Sequence, residues 1–190
     1  ATVNGTITPL NDAPVAVDDI GALDGAEDST TVSLNATLLS NDSDLDGDVI
    51  SITAINGTAL VGGVQSIAVA NGTVNVDAGN NITFTADANY AGAVSFDYTL
   101  SDGSLTDTAS VNGTISAVND APDAVDDLGA LDGSEDSTTA SLNATMLSND
   151  SDLDGDAIII TAINGTALVG GVQSIAVGNG TVNIDAGDNI

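Results

Sequence analysis

Apolar and polar residues alternate along most of this chain with a period of two. Between Thr31 and Leu38 the apolar positions are Val32, Leu34, Ala36 and Leu38, with Thr31, Ser33, Asn35 and Thr37 between them. Ile82, Phe84 and Ala86 alternate with Thr83 and Thr85, and Val94, Phe96, Tyr98 and Leu100 alternate with Ser95, Asp97 and Thr99. Successive side chains of a strand point to opposite faces, so each run predicts a strand with one buried and one wetted side. No run repeats at 3.6 residues, Lys and Arg are absent and Glu is nearly so; no helix is expected.

Turn signals separate these runs: Asp24-Gly25, Asp46-Gly47, Asn56-Gly57, Gly62-Gly63, Asn71-Gly72, Ala78-Gly79 and Asp102-Gly103. Asn-Gly and Asp-Gly supply the positive φ that tight hairpins need. The expected strands are Val15–Leu23, Thr30–Leu39, Val49–Ile55, Thr73–Val76, Asn81–Ala86, Ala93–Leu100 and Leu105–Ile115, with an additional segment at Ala59–Ala70. That many short strands in one stretch predict an all-β fold, an antiparallel β-sandwich with Ig-like connections.

The pattern then starts again. Ala1–Ile82 aligns without a gap on Ala109–Ile190, 108 residues on, and fourteen of the eighty-two paired positions differ. Solenoid repeats run ~20–50 residues, so this period belongs to a string of whole domains joined end to end. Val3-Asn4-Gly5-Thr6-Ile7 matches Val111-Asn112-Gly113-Thr114-Ile115, which makes residues 1–10 the expected last strand of a preceding repeat. Residues 11–118 form a complete repeat and 119–190 an incomplete second one lacking its final strands. All four aromatic residues, Phe84, Tyr90, Phe96 and Tyr98, lie in the part that the second copy lacks.

Composition narrows the chemistry. The chain carries 28 acidic residues and no Lys, Arg, His or Cys. No side-chain salt bridge or disulfide can form, which leaves water or a bound metal ion to neutralise the carboxylates. A phosphate backbone needs a basic footprint, so nucleic acid is excluded as a partner, and anionic membrane surfaces are excluded on the same ground. No run of ~18 apolar residues is present to insert into a membrane. The missing residue types remove most nucleophiles and bases, and the remaining Asp residues repeat as structural elements do; no enzyme is expected.

The strongest motif is Asp42-x-Asp44-x-Asp46-Gly47-Asp48, repeated as Asp150-x-Asp152-x-Asp154-Gly155-Asp156. Alternate oxygen ligands, with a Gly that lets the loop turn back, suit a hard cation of calcium size. The run is similar to the first half of an EF-hand loop, but Thr53 stands where the closing Glu would be, so further ligands must come from elsewhere. Two other acidic groups qualify. One is Asn11-Asp12-Ala13-Pro14, repeated as Asn119-Asp120-Ala121-Pro122; the other is Glu27-Asp28, repeated as Glu135-Asp136. An Ig-like sandwich gathers alternate loops at opposite ends. Glu27 and Asp28 are therefore expected to approach Asn119 and Asp120, with Asp150, Asp152 and Asp154 completing an inter-domain calcium cage.

The ordered set is Asn-Asp-Ala-Pro, Ala-Val-Asp-Asp, Glu-Asp, Leu-Leu-Ser-Asn-Asp-Ser-Asp-Leu-Asp-Gly-Asp and Phe-Asp-Tyr-Thr-Leu-Ser-Asp-Gly. It resembles the Ig-like, cadherin-like (VCBS-type) tandem repeats of giant bacterial RTX adhesins, over the whole chain. The resemblance implies secreted, calcium-binding extender domains on the bacterial surface that hold a terminal binding domain away from the cell. Their partners would be neighbouring repeats of the same chain. Asp102, in the Ser-Asp-Gly turn, joins the candidate ligands on this basis. A self-assembling extracellular fibre built from the same repeats is the alternative reading.

Overall fold

The protein is described here by a computed structural model covering residues 1–31, 33–139 and 141–190. It divides into two compact units, Ala1–Val118 and Asn119–Ile190.

In the first unit the strands are β1 (Gly25–Ala26), β2 (Ser51–Ile55), β3 (Thr58–Ala59), β4 (Gln65–Val69), β5 (Gly72–Val76), β6 (Ile82–Ala86), β7 (Gly92–Ser101) and β8 (Thr106–Ser116). Five form one sheet in the order β1-β8-β7-β2-β3, and the other three form a second sheet, β4-β5-β6. Every ladder is antiparallel except β1 against β8. The alternation explains the layering. Val74, Val76, Ile82 and Phe84 point inward from one sheet, and Val94, Phe96, Tyr98, Val111 and Ile115 from the other, into one core. Phe84 and Phe96 meet across it with ring centroids 6.3 Å apart. The all-β class expected from the sequence is the class observed.

Two expected strands take a different form. Thr30–Leu39 pairs in its first half, where Thr30 bridges Thr85 and the Thr31 and Leu34 N–H groups donate to the Phe84 and Ile82 carbonyls. Its second half is a one-turn helix, α1 (Asn35–Leu38), contrary to the expectation of no helix. Residues four apart share a face in a strand and in a helix alike, so Leu34 and Leu38 are buried either way. Ala36 distinguishes the two, and it is exposed. Asn35 makes the turn possible by serving as a strand partner with its side chain. Its Oδ1 accepts the Ile82 N–H at 2.7 Å and its Nδ2 donates to the Asn80 carbonyl at 2.9 Å. Val32 lies outside the described residues.

The expected first strand, Val15–Leu23, is broken. Val15 bridges Ser43, Asp19 bridges Val111 in parallel, and the chain then turns before β1 runs beside Ile115 and Ser116. The Leu23–Asp24 backbone crosses Gly113 so closely that a Cβ there would overlap it. The additional segment Ala59–Ala70 divides into β3 and β4. Residues 1–10 carry no strand and are exposed.

The second unit contains α2 (Asn143–Met146), β9 (Ala162–Ile163), β10 (Thr166–Ala167), β11 (Gln173–Val177) and β12 (Gly180–Ile184). They repeat α1, β2, β3, β4 and β5 in order. Its core is Leu142, Ile175, Ile184 and Ile190, next to an open apolar cavity of about 370 Å³ lined by Met146, Ile163 and Val182 among others.

Candidate metal centre

The acidic loop of the first unit is organised around Asp44. Its Oδ1 accepts the N–H groups of Asp46 at 2.9 Å and Asp48 at 3.1 Å, which curls the backbone, and Gly47 completes the turn at φ +80°. Asp44 Oδ2 is buried and accepts no hydrogen bond. A buried carboxylate oxygen without a donor is costly unless something positive meets it.

The loop is tied to the leading segment of the unit. The Asp12 N–H donates to Asp46 Oδ2 at 2.7 Å, and Asn11 Nδ2 donates to Asp102 Oδ2 at 2.8 Å. Consecutive residues thus hold carboxylates from two distant turns. Asp102 Oδ1 also caps its own turn by accepting from Ser104 and Leu105. The N–H groups of Leu105 and Ser104, then Asn11, hold its carboxyl below the usual range. Asn11, Asp12, Asp44, Asp46 and Asp102 are therefore assembled as one acidic region, while Asp48 lies exposed beside it. The side chains are all oxygen donors apart from the asparagine amide nitrogen, with an orphaned buried oxygen among them. That set fits a calcium-sized cation and suits no soft metal.

Asp42 is used differently from its loop neighbours. Its side chain turns inward, where Oδ1 accepts the Val17 N–H at 2.8 Å and both oxygens lie 3.1 Å from the Tyr98 hydroxyl.

The second unit repeats the arrangement. Asp152 Oδ1 accepts from Asp154 and Asp156 at 3.0 Å each, Gly155 turns at φ +78°, and the Asp120 N–H donates to Asp154 Oδ2 at 2.7 Å. Asn119 Nδ2 donates to the Asp120 carbonyl, and Asp150 accepts the Val125 N–H as Asp42 accepts that of Val17. Glu27 Oε1 accepts the Val118 N–H at 2.6 Å, which ties down the end of the first unit. Asp28 and Asp136 occupy left-handed turn positions and, with Glu135, are exposed.

The sequence reading left only water or metal to neutralise the acids, and the structure adds a third answer. Backbone N–H groups of the last strand serve as donors: Ser110 to Asp18 Oδ1 and Thr114 to Asp24 Oδ1, each at 2.8 Å. Asp107 returns the relationship by accepting the Ala16 N–H. The Ser110 N–H holds the Asp18 carboxyl below the usual range. Asp19 behaves oppositely: burial pushes its carboxyl up, although a side-chain hydrogen bond with Tyr98 opposes the shift. Residues 18, 19, 24 and 107 were not among the sequence candidates. The only signal was the Asp18-Asp19 pair, whose partners lie some ninety residues away.

Two family models match the chain: a bacterial Ig domain over residues 11–114, and a cadherin-like domain over residues 118–189. Residues 11–82 and 119–190 are near-copies, so the two models describe variants of one repeat. No curated protein and no solved structure matches.

Proposed function

The chain belongs to the bacterial Ig domain family, and from that premise we propose that it is a calcium-rigidified extender module of a long bacterial surface adhesin. It is a structural, non-catalytic part, and its partners are the neighbouring repeats of the same chain. The observation that carries this reading is the recurrence, 108 residues apart, of the same acidic loop hydrogen-bonded to the same leading Asn-Asp dipeptide. A repeated oxygen site belongs to every domain of an array, as a structural ion does.

In this reading, stiffness would come from where the clamps fall. Val118 is held in its unit by Glu27, and Asp120 is held in the next by Asp154, so Asn119 alone separates two tethered residues. Pro122 restricts φ shortly afterwards. A divalent ion on Asp152, Asp154 and the Asn119-Asp120 segment would lock the linker onto the loop. It would also relieve the mutual repulsion of the loop carboxylates. An ion that binds only the folded state stabilises that state in proportion to its excess over Kd. Extracellular calcium would keep such a module stiff, and a calcium-poor compartment would leave it pliable.

Small-angle scattering of tandem repeats with calcium and after chelation tests the proposal. The expected result is a larger maximum dimension and a narrower distance distribution with calcium. Equal dimensions in both conditions, with the domains still folded, would remove the rigidifying role.

A further inference from the structure

We propose a second, internal cation site in the first unit, formed by the carboxylates of Asp19 and Asp42, the carbonyl oxygens of Val17 and Leu38 and the hydroxyl of Tyr98. It is separate from the Asp44–Asp46 loop and stands independently of the extender reading. Its ligand class is a hard divalent cation of calcium size.

The site is crowded with lone pairs and poor in protons. The Tyr98 hydroxyl lies 3.1 Å from the Leu38 carbonyl and from each Asp42 oxygen, and 3.2 Å from the Val17 carbonyl. One hydroxyl proton cannot serve four acceptors; two of them have a second donor, which leaves the Leu38 carbonyl and Asp42 Oδ2 to compete for the Tyr98 proton. The second donors come from Asn41 and the Val17 backbone. Asn41 Nδ2 is directed to the Val17 and Asp18 carbonyls, and the Val17 N–H to Asp42 Oδ1.

The independent observation is Asp19. Its side chain is only 6 % exposed, its carboxyl lies beside the Tyr98 hydroxyl and the Asp42 carboxylate, and its Oδ2 accepts no hydrogen bond. The backbone on both sides is fixed, because the Asp19 N–H donates to the Ser110 carbonyl and its carbonyl accepts the Asn112 N–H. The backbone from which the Asp19 side chain springs is therefore held against β8. A buried Asp19 carboxylate beside a half-buried Asp42, in a protein without one cationic side chain, is relieved either by a bound cation or by a proton. Separations near 3.1 Å suit adjacent ligands in a shell of six to eight oxygens held at ~2.3–2.6 Å from calcium.

Both tyrosines of the chain lie in the first unit, and there is no Trp. Terbium, a calcium substitute excited through tyrosine, therefore reports the site in the full chain. Tyr98→Phe should abolish the sensitised emission and Tyr90→Phe should leave it. Asp44→Asn with Asp46→Asn should lose loop binding and keep the emission, whereas Asp19→Asn should lose the emission and one equivalent of calcium by calorimetry while keeping the loop ion. Failure of the loop alone would touch the extender reading and leave this site standing. Unchanged calcium stoichiometry in a folded Asp19→Asn would overturn the proposal. If that variant fails to fold, carboxyl carbon-13 NMR of the wild type decides. A calcium-dependent Asp19 shift supports the site, and a protonated, calcium-insensitive Asp19 ends it.

Discussion

The Asp12 backbone N–H donates to Asp46 Oδ2 at 2.7 Å, fastening the first residues of the repeat to a loop thirty-four positions further on. A main-chain donor organises one oxygen of the loop, while Asp44 Oδ2 stays buried without a donor.

Chelation should therefore lower the melting temperature, and Asp46→Ala, which removes both the tether and a ligand, should make the protein insensitive to calcium at that loop. The contribution of a bound ion is ~2.7 kcal/mol at a hundredfold excess over Kd. Sodium chloride screens diffuse repulsion but cannot close a loop, so it should restore only part of the loss. Equal rescue by sodium and calcium chlorides in a thermal melt would reduce the loop to a charged surface.

Asn35→Ala should destabilise the first unit by ~1–3 kcal/mol, because it leaves the Ile82 N–H without its side-chain acceptor. Asn35→Asp keeps the acceptor and loses the donation to the Asn80 carbonyl, so an intermediate loss is expected. Urea titrations of the three proteins would rank them; an unchanged Asn35→Ala midpoint would show that the side chain does not support the helical turn.

Gly113→Ala should cost ~1–3 kcal/mol or more, since its Cβ would overlap the backbone of Leu23 and Asp24, which cannot yield as a flexible side chain does. Gly5→Ala, with open space around it, is the control and should leave stability unchanged. Differential scanning calorimetry distinguishes them.

The Asp77 carboxyl is held below its ordinary value near 3.8, chiefly by the Asn81 side chain and then by the N–H groups of Asn81 and Gly79. A lowered folded pKa means stability that is present above the unfolded value and lost as pH falls through the folded one. Carboxyl NMR should give Asp77 a midpoint below 3.8, and Asp77→Asn should remove this part of the acid sensitivity. Asp185 should titrate in the same way, for the same reason. A midpoint at or above 3.8 would contradict the turn geometry.

The sequence by itself determined the strands whose inward residues are large and regular. Thr73 to Val76, Ile82 to Phe84 and Val94 to Leu100 each alternate strictly, and burying that face leaves one register. It also determined the repeat, the oxygen-rich donor set and the pairing of an Asn-Asp dipeptide with each acidic loop as the residues to examine. Only the tertiary structure decided whether Leu34 and Leu38 sit on a strand or a helix, because a spacing of four satisfies both periods and a distant Asn80–Ile82 backbone supplied the tie. The roles of the carboxylates were likewise set by tertiary contacts. Asp18, Asp19 and Asp42 are identical side chains in similar local sequence. One finds a backbone donor across ninety residues, one is buried against Tyr98, and one braces Val17, because hydrogen-bond partners and desolvation are properties of the packed fold.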